Sequence, residues 1–207
     1  MMTVHVIEKV SGVLIAGGKS RRMGHDKRFL TLGGIGIFRR TLDLLKKIFA
    51  ETIVVLAEPV DSLDAQGSRV VYDIVPNAGS LGGLYTGLMT SSESRVFAVA
   101  CDMPFLDAEV IRFMASFDRT ADVVVAELEG RFQPMHALYS QRCLPYLQAM
   151  ATKQDLTIQR LFLEKQLRVA VLSRSHLAGL ASGHRSFQNI NTPDDLARAA
   201  APLHDQP

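Results

Sequence analysis

The sequence predicts an α/β fold: one domain, built as a mostly parallel sheet flanked by helices. Three observations predict it. Short apolar, β-branched runs alternate with amphipathic stretches of helical spacing, the pattern of βα units rather than of meandering hairpins. The 207 residues suffice to bury a real core and are too few for two large domains. Apolar residues make up 47% of the chain and charged residues 21%, an ordinary balance that excludes a disordered chain.

The elements follow in order. Residues 10–16 are a buried apolar run, read as the first strand, and a glycine- and charge-rich loop follows at 17–27. Ile37, Leu42, Leu45, Ile48 and Phe49 have helical spacing, so 37–49 is a helix that leads into a second strand at 52–56. Residues 69–72 form a third strand. A turn-rich stretch, 76–83, opens a helix that runs to about Ser91. Residues 96–101 give a central buried strand, which Asp102-Met103-Pro104 must end because proline cannot continue it. Asp107 caps a helix through Phe117, and strands at 123–128 and 134–139 flank a Glu129-Gly130-Arg131 turn. Helices at 141–150 and 156–164, a strand at 167–172 and the segment 187–196 complete a core of about 10–198, with a frayed tail beyond Ala199.

Charge and cysteine usage narrow the function. The net charge of +2 is too small for a nucleic-acid partner, and the basic residues cluster mainly at 19–28, which suits one small anion better than a polymer. Cys101 and Cys143 fall in neither a CxxC nor a Cys/His spacing, so no disulfide framework or zinc site is expected and the cytoplasm is the expected compartment. Residues 1–12 hold no apolar run long enough for a signal peptide, so none is expected, and no apolar stretch approaches the roughly 18 residues of a membrane span.

The loop at 17–27 lies where an open parallel sheet binds ligands. Its glycines let backbone N–H groups approach phosphate oxygens, and Arg22 and Lys27 can neutralise a polyphosphate. It fits neither the Walker pattern nor GxGxxG. Its bland reading is a solvated surface loop. Asp102 ends the central strand, where one carboxylate suffices for Mg²⁺ if a triphosphate and water supply the other ligands; an Asx-turn is the alternative. Asp73, after the third strand, reads by itself as a turn former. Asn189 and Asn191, two apart on an extended segment, point the same way and either bind a polar ligand or satisfy a turn. Thr192 and Pro193 start a helix. His136, between apolar neighbours, reads as structural, with no nucleophile constellation beside it.

Ile15-Ala16-Gly17-Gly18-Lys19-Ser20-Arg21-Arg22-Met23-Gly24, followed by Asp26-Lys27, resembles the signature of the molybdenum cofactor guanylyltransferases, Leu-Ala-Gly-Gly-x-Ser-x-Arg-Met-Gly and then Asp-Lys. Cys101-Asp102-Met103-Pro104 resembles that family's metal-binding motif, Asn189-Ile190-Asn191-Thr192-Pro193 its Asn-x-Asn-Thr-Pro, and the segment from Pro134 to Tyr139 its Pro-x-x-Ala-Leu-Tyr. The resemblance runs from about Val10 to Leu196 with the motifs in order. It implies a Rossmann-like nucleotidyltransferase fold and transfer of GMP from GTP to the phosphate of molybdopterin, releasing pyrophosphate. It also implies Mg²⁺ on Asp102, with Lys27, Arg22 and Asp102 catalytic. Ile15, Ala16, Gly17, Gly18, Lys27, Asp73, Gly82 and Asp102 would meet the nucleotide, and Asn189, Asn191 and Pro134 the pterin. Implied partners are GTP and molybdopterin as substrates and, transiently, the molybdenum-insertion or recipient molybdoenzymes.

There are departures. Gly79-Ser80-Leu81-Gly82-Gly83-Leu84 resembles a Gly-Pro-Leu-Gly/Ala-Gly loop but carries Ser80 where proline is usual, and Leu56 stands where many relatives have asparagine. Three alternatives stay open. A cytidylyltransferase for the same pterin would typically carry alanine in place of Gly17, and a sugar-phosphate nucleotidyltransferase would have a Gly-Thr-Arg loop and a longer chain. A non-catalytic nucleotide-binding adaptor would not need both Asp102 and Lys27.

Overall fold

The apolar run that opens the chain is β1 (Val10–Ile15), buried along its whole length. The computed structural model describes residues 6–17, 29–60 and 63–200. A hairpin, β2 (Thr31–Leu32) and β3 (Ile35–Gly36), turns through Gly33 and Gly34, both at positive φ. Then come α1 (Ile37–Ile48), β4 (Thr52–Leu56), β5 (Arg69–Tyr72), α2 (Gly79–Thr90), β6 (Arg95–Ala100) and α3 (Ala108–Phe117). Strands β7 (Val123–Leu128) and β8 (Arg131–Ser140) precede α4 (Leu144–Thr152), and β9 (Val169–Leu172), α5 (Arg174–Leu177) and α6 (Pro193–Ala200) close the described chain.

Seven strands form one sheet in the order β5-β4-β1-β6-β8-β7-β9. The pairs β5·β4, β4·β1, β1·β6 and β7·β9 are parallel, and β8 runs against both β6 and β7. The mostly parallel α/β sheet expected from the sequence is therefore present. Side chains alternate across it as strand geometry requires. Leu14, Val54, Phe97 and Val99 face the layer of α1 and α3, while Val13, Ile15, Ile53, Val55 and Ala98 face α2 and α4. Helix α1 buries Ile37, Phe38, Leu42, Leu45 and Ile48 on one stripe, and Lys46 and Lys47 sit in its last turn, where the helix dipole favours cations.

Helix α2 lies unusually close to the sheet. A Cβ at Gly83 would stand 2.7 Å from Ile15 Cγ2, and one at Gly87 2.6 Å from Val13 Cγ1. Two glycines four apart on the helix thus ride over two strand residues two apart, and the packing leaves no room for a methyl group at either.

Three expectations change. The helix expected to open after the 76–83 stretch begins at Gly79, so Gly79 to Leu84 are its first turns rather than a loop; the turn is made earlier, with Asn77 and Gly79 at positive φ. The helix expected at 156–164 is a 3₁₀ turn, Ile158–Leu163, whose buried Ile158 and Leu161 are three apart and so match its tighter period. The helix at 141–150 opens with a 3₁₀ turn before α4 continues to Thr152. The expected tail lies beyond the described residues, apart from the end of α6.

Candidate active site

Because β1, β4, β5 and β6 are parallel, their carboxyl ends meet at one rim. Main-chain bonds stitch that rim together. Ala16 N donates to Val55 O at 2.9 Å, Asp73 N to Leu56 O at 2.9 Å and Cys101 N to Ile15 O at 3.2 Å. Gly17 passes so near the end of β4 that a Cβ there would lie 3.0 Å from Ala57 N. Ile15, Ala16, Gly17, Asp73 and Asp102 thereby lie along one rim, with β4 and β1 between the strands that end at Asp73 and Asp102. Gly18, Arg22 and Lys27 lie outside the described residues.

Asp73 leaves β5 half-buried, its Oδ1 sequestered without a hydrogen-bond partner among the described residues. Burial pushes its carboxyl up to about 6. The next amide, Ile74 N, donates to the fully buried Thr86 Oγ1 at 3.1 Å, so α2 fixes the loop that carries the acid. Gly82 closes against the same loop: a Cβ there would stand 3.0 Å from Val75 O and 3.7 Å from Asp73 Oδ2. Gly82 therefore belongs to the Asp73 wall, as a helical residue and not as a loop residue.

Asp102 follows β6, with its Oδ1 buried. Its carbonyl oxygen accepts a 2.8 Å bond from Ile190 N. That bond lays 189–191 along the strand end, with Ile190 buried and Asn189 and Asn191 exposed on either side of it. The segment then enters α6 through a reciprocal cap. Thr192 Oγ1 accepts from Asp195 N at 3.1 Å, and Asp195 Oδ2 accepts from Thr192 N and Asn191 N at 2.9 and 3.0 Å. The cap is made by Thr192 and Asp195 side chains, so neither asparagine side chain is required for it.

The motifs and this geometry agree with comparison to known proteins. The family model of the MobA-like NTP transferase domain matches residues 12–170. The chain belongs to the MobA-like NTP transferase family. It is 34% identical over 191 residues to the "Probable molybdenum cofactor guanylyltransferase" of Pelotomaculum thermopropionicum, covering 92% of each chain. With the "Molybdenum cofactor guanylyltransferase" of Desulfosudis oleivorans it shares 32% identity over 95% of this chain and 97% of that one. The crystal structure of molybdopterin-guanine dinucleotide biosynthesis protein A from Archaeoglobus fulgidus has the same fold, with a TM-score of 0.77 at 22% identity over 92% of this chain and 96% of that one.

In this MobA-like NTP transferase, β8 brings Pro134 toward the same rim. Because β8 is antiparallel to β6, with His136 opposite Val99, residues before His136 lie toward the carboxyl end of β6. Pro134 O accepts from Tyr139 Oη at 2.7 Å. His136 is fully buried, stacked on Phe187 at 4.3 Å between centroids and edge-on to Phe97 at 5.5 Å. Neither ring nitrogen meets hydrogen-bond geometry; the Ser186 main chain is the polar group near it. Burial drives its pKa down to about 3, so it is neutral and structural, as its neighbours in the sequence implied.

Sequence reasoning passed over two residues of this region. Neither Phe187 nor Arg185 was given a role, yet Phe187 packs on His136 and the Arg185 guanidinium lies 3.9 Å above the Phe105 ring, on the bend that follows Asp102. No cluster of three or more His, Cys, Asp or Glu is found among the described residues. The donor chemistry at Asp102, a single hard carboxylate oxygen at a strand end, fits a divalent cation completed by phosphate oxygens and water rather than an all-protein metal cage. No helix among the described residues is long and apolar enough to cross a membrane.

Proposed function

We propose that this chain transfers GMP from GTP to the terminal phosphate of molybdopterin, releasing pyrophosphate. The observation that carries the reading is the bond from Ile190 to Asp102, which joins the residue of the nucleotide-side carboxylate to the Asn189/Asn191 segment at one strand end. The names of the relatives support the same substrates.

In this reading Ile15, Ala16, Gly17 and Gly18 offer backbone to the nucleotide, and Asp73 and Gly82 wall it. Lys27 and Arg22 neutralise the triphosphate. Asp102 and the phosphate oxygens would hold Mg²⁺, which when bound would supply charge neutralisation. Asn189, Asn191 and Pro134 line the pterin side. An oxygen of the acceptor phosphate forms a bond to the α-phosphorus of GTP while the bond to the β-phosphate oxygen breaks, and pyrophosphate leaves with the electron pair. A phosphate monoester has a second pKa of about 6 and is largely ionised at neutral pH, so the attack requires no strong general base. The residues therefore work by positioning and charge neutralisation. The reading takes 1–207 as one cytoplasmic domain that makes transient contact with molybdenum-insertion or recipient molybdoenzymes.

The test is Mg²⁺-dependent pyrophosphate release with molybdopterin, comparing GTP, CTP and ATP. Release with GTP alone supports the guanylyl reading. Release with CTP moves the chain to the cytidylyl reaction, and nucleotide binding without release moves it to a non-catalytic adaptor. Lys27→Ala is expected to lose turnover while keeping the fold; near-normal turnover would remove its assigned role.

A further inference from the structure

We infer that Arg185 is the residue that receives the phosphate of the second substrate. The inference rests on the proposed function and adds to it a cation on the acceptor side, where only amides and a proline stand otherwise.

Several arginines among the described residues pair with a nearby carboxylate: Arg39 with Asp43, Arg69 with Glu51, Arg142 with Asp122, Arg160 with Asp155 and Arg168 with Asp118. Arg185 does not. Among the described residues it has no ion pair, and what holds it is the face of Phe105, 3.9 Å from the guanidinium carbon. Stacking on a ring fixes the plane of the guanidinium but leaves its edge, with the N–H donors, unspent. The nearest acid along the bend, Asp107, is already committed: its Oδ1 caps α3 by accepting from Glu109 N and Val110 N at 2.8 and 3.2 Å.

The cation is also held in place from its own side of the chain. Ser186 Oγ accepts from Asp107 N at 3.1 Å, Phe187 stacks on the buried His136, and Ile190 N bonds to Asp102 O. The segment 185–190 is thus tied at two points to the strand end and bend that carry Asp102 and at a third to the neighbouring strand β8. Phe105 is three residues beyond Asp102, a span of at most about 11 Å of chain. A planar fork of donors, pre-oriented on a ring and unpaired, at the rim where a phosphate monoester must approach, is the arrangement for bidentate recognition of that dianion.

The experiment measures initial rates of pyrophosphate release while molybdopterin and GTP are varied in turn, for wild type, Arg185→Gln, Arg185→Lys and Phe105→Leu. Loss of a charge-assisted pair predicts that Arg185→Gln raises the KM for molybdopterin about 10- to 100-fold. The KM for GTP should stay within about twofold and Tm should be unchanged. Arg185→Lys, which keeps the charge without the fork, recovers part of the loss, and Phe105→Leu, which frees the cation without removing it, gives a smaller rise. An unchanged molybdopterin KM in Arg185→Gln overturns the inference, as does a rise in both KM values accompanied by a fall in Tm, which would make the stack merely structural. A wild type that releases no pyrophosphate with any nucleotide instead overturns the proposed function, and the inference with it.

Discussion

The amide of Ile190 donates to the carbonyl oxygen of Asp102 at 2.8 Å, so what joins the two halves of the candidate site is main chain and not side chain. Asp102 makes this link through its carbonyl oxygen and not through its carboxylate. Asp102→Asn keeps that bond and the steric outline while removing the charge. The expected outcome is a Tm close to wild type with turnover reduced on the order of a hundredfold or more. Thermal melts and steady-state kinetics on the same preparation check it, and a variant that turns over normally would free Asp102 from any role in holding a cation.

The glycine contacts of α2 make a prediction opposite in sign to helix propensity. Gly87→Ala should gain about 1 kcal/mol from propensity alone. The new methyl would start 2.6 Å from the fully buried Val13, and overpacking of this kind costs about 1–3 kcal/mol. The net expectation is a lower denaturation midpoint, partly restored when Val13→Ala is added to the same chain. A Gly87→Ala protein more stable than wild type would mean that helix and strand can part freely.

Asp73 links stability to pH. Its folded pKa, raised to about 6, lies above its unfolded value of 3.8, so the folded state binds the proton more tightly. The stabilisation is full below about pH 4 and is lost as pH rises through about 6. Asp73→Asn should therefore melt above wild type at pH 7 and converge with it at low pH, while nucleotide binding weakens. Melting curves from pH 4 to 8 decide the matter; parallel curves for the two proteins would show that burial does not hold the acid neutral.

His136 works in the reverse direction. Its folded pKa, forced down to about 3 by burial, lies below the ordinary histidine value of 6.5, so the unfolded chain binds its proton more readily. Stability from this group is full above about pH 6.5 and is lost as pH falls toward about 3. His136→Leu keeps an apolar filler between Phe97 and Phe187 and should flatten the acid limb of the stability profile, with turnover at pH 7.5 nearly unchanged.

Much of the scaffold is legible in the sequence because its signals are local. The apolar runs of β1, β4 and β6, the stripe of α1 and the Asp107 cap each need only a few adjacent residues. The hairpin of β2 and β3 escapes notice because two residues per strand carry no periodicity. The start of α2 is misread because glycines that look like a loop are needed for close packing on Val13 and Ile15, a tertiary reason that overrides propensity. At the site, Asp73 and Asp102 are marked by ending strands, and Asn189 and Asn191 by their spacing. Arg185 has no such mark, since its meaning depends on Phe105, a partner far away in the chain.

The reversed direction of β8 has a last consequence. Since β7 runs with β6, the tight turn joining β7 to β8, where Glu129 and Gly130 adopt positive φ, hangs over the rim that carries Asp102. Residues added at that hairpin tip extend past the sheet without re-registering a single strand pair. The described ends of β1, β4 and β5 have no such freedom, because methyl-free helix packing and main-chain stitching fix them on parallel strands. Under the proposed function, divergence toward bulkier acceptors is open at the tip of one hairpin, while the described ends of β1, β4 and β5 are held by their own packing.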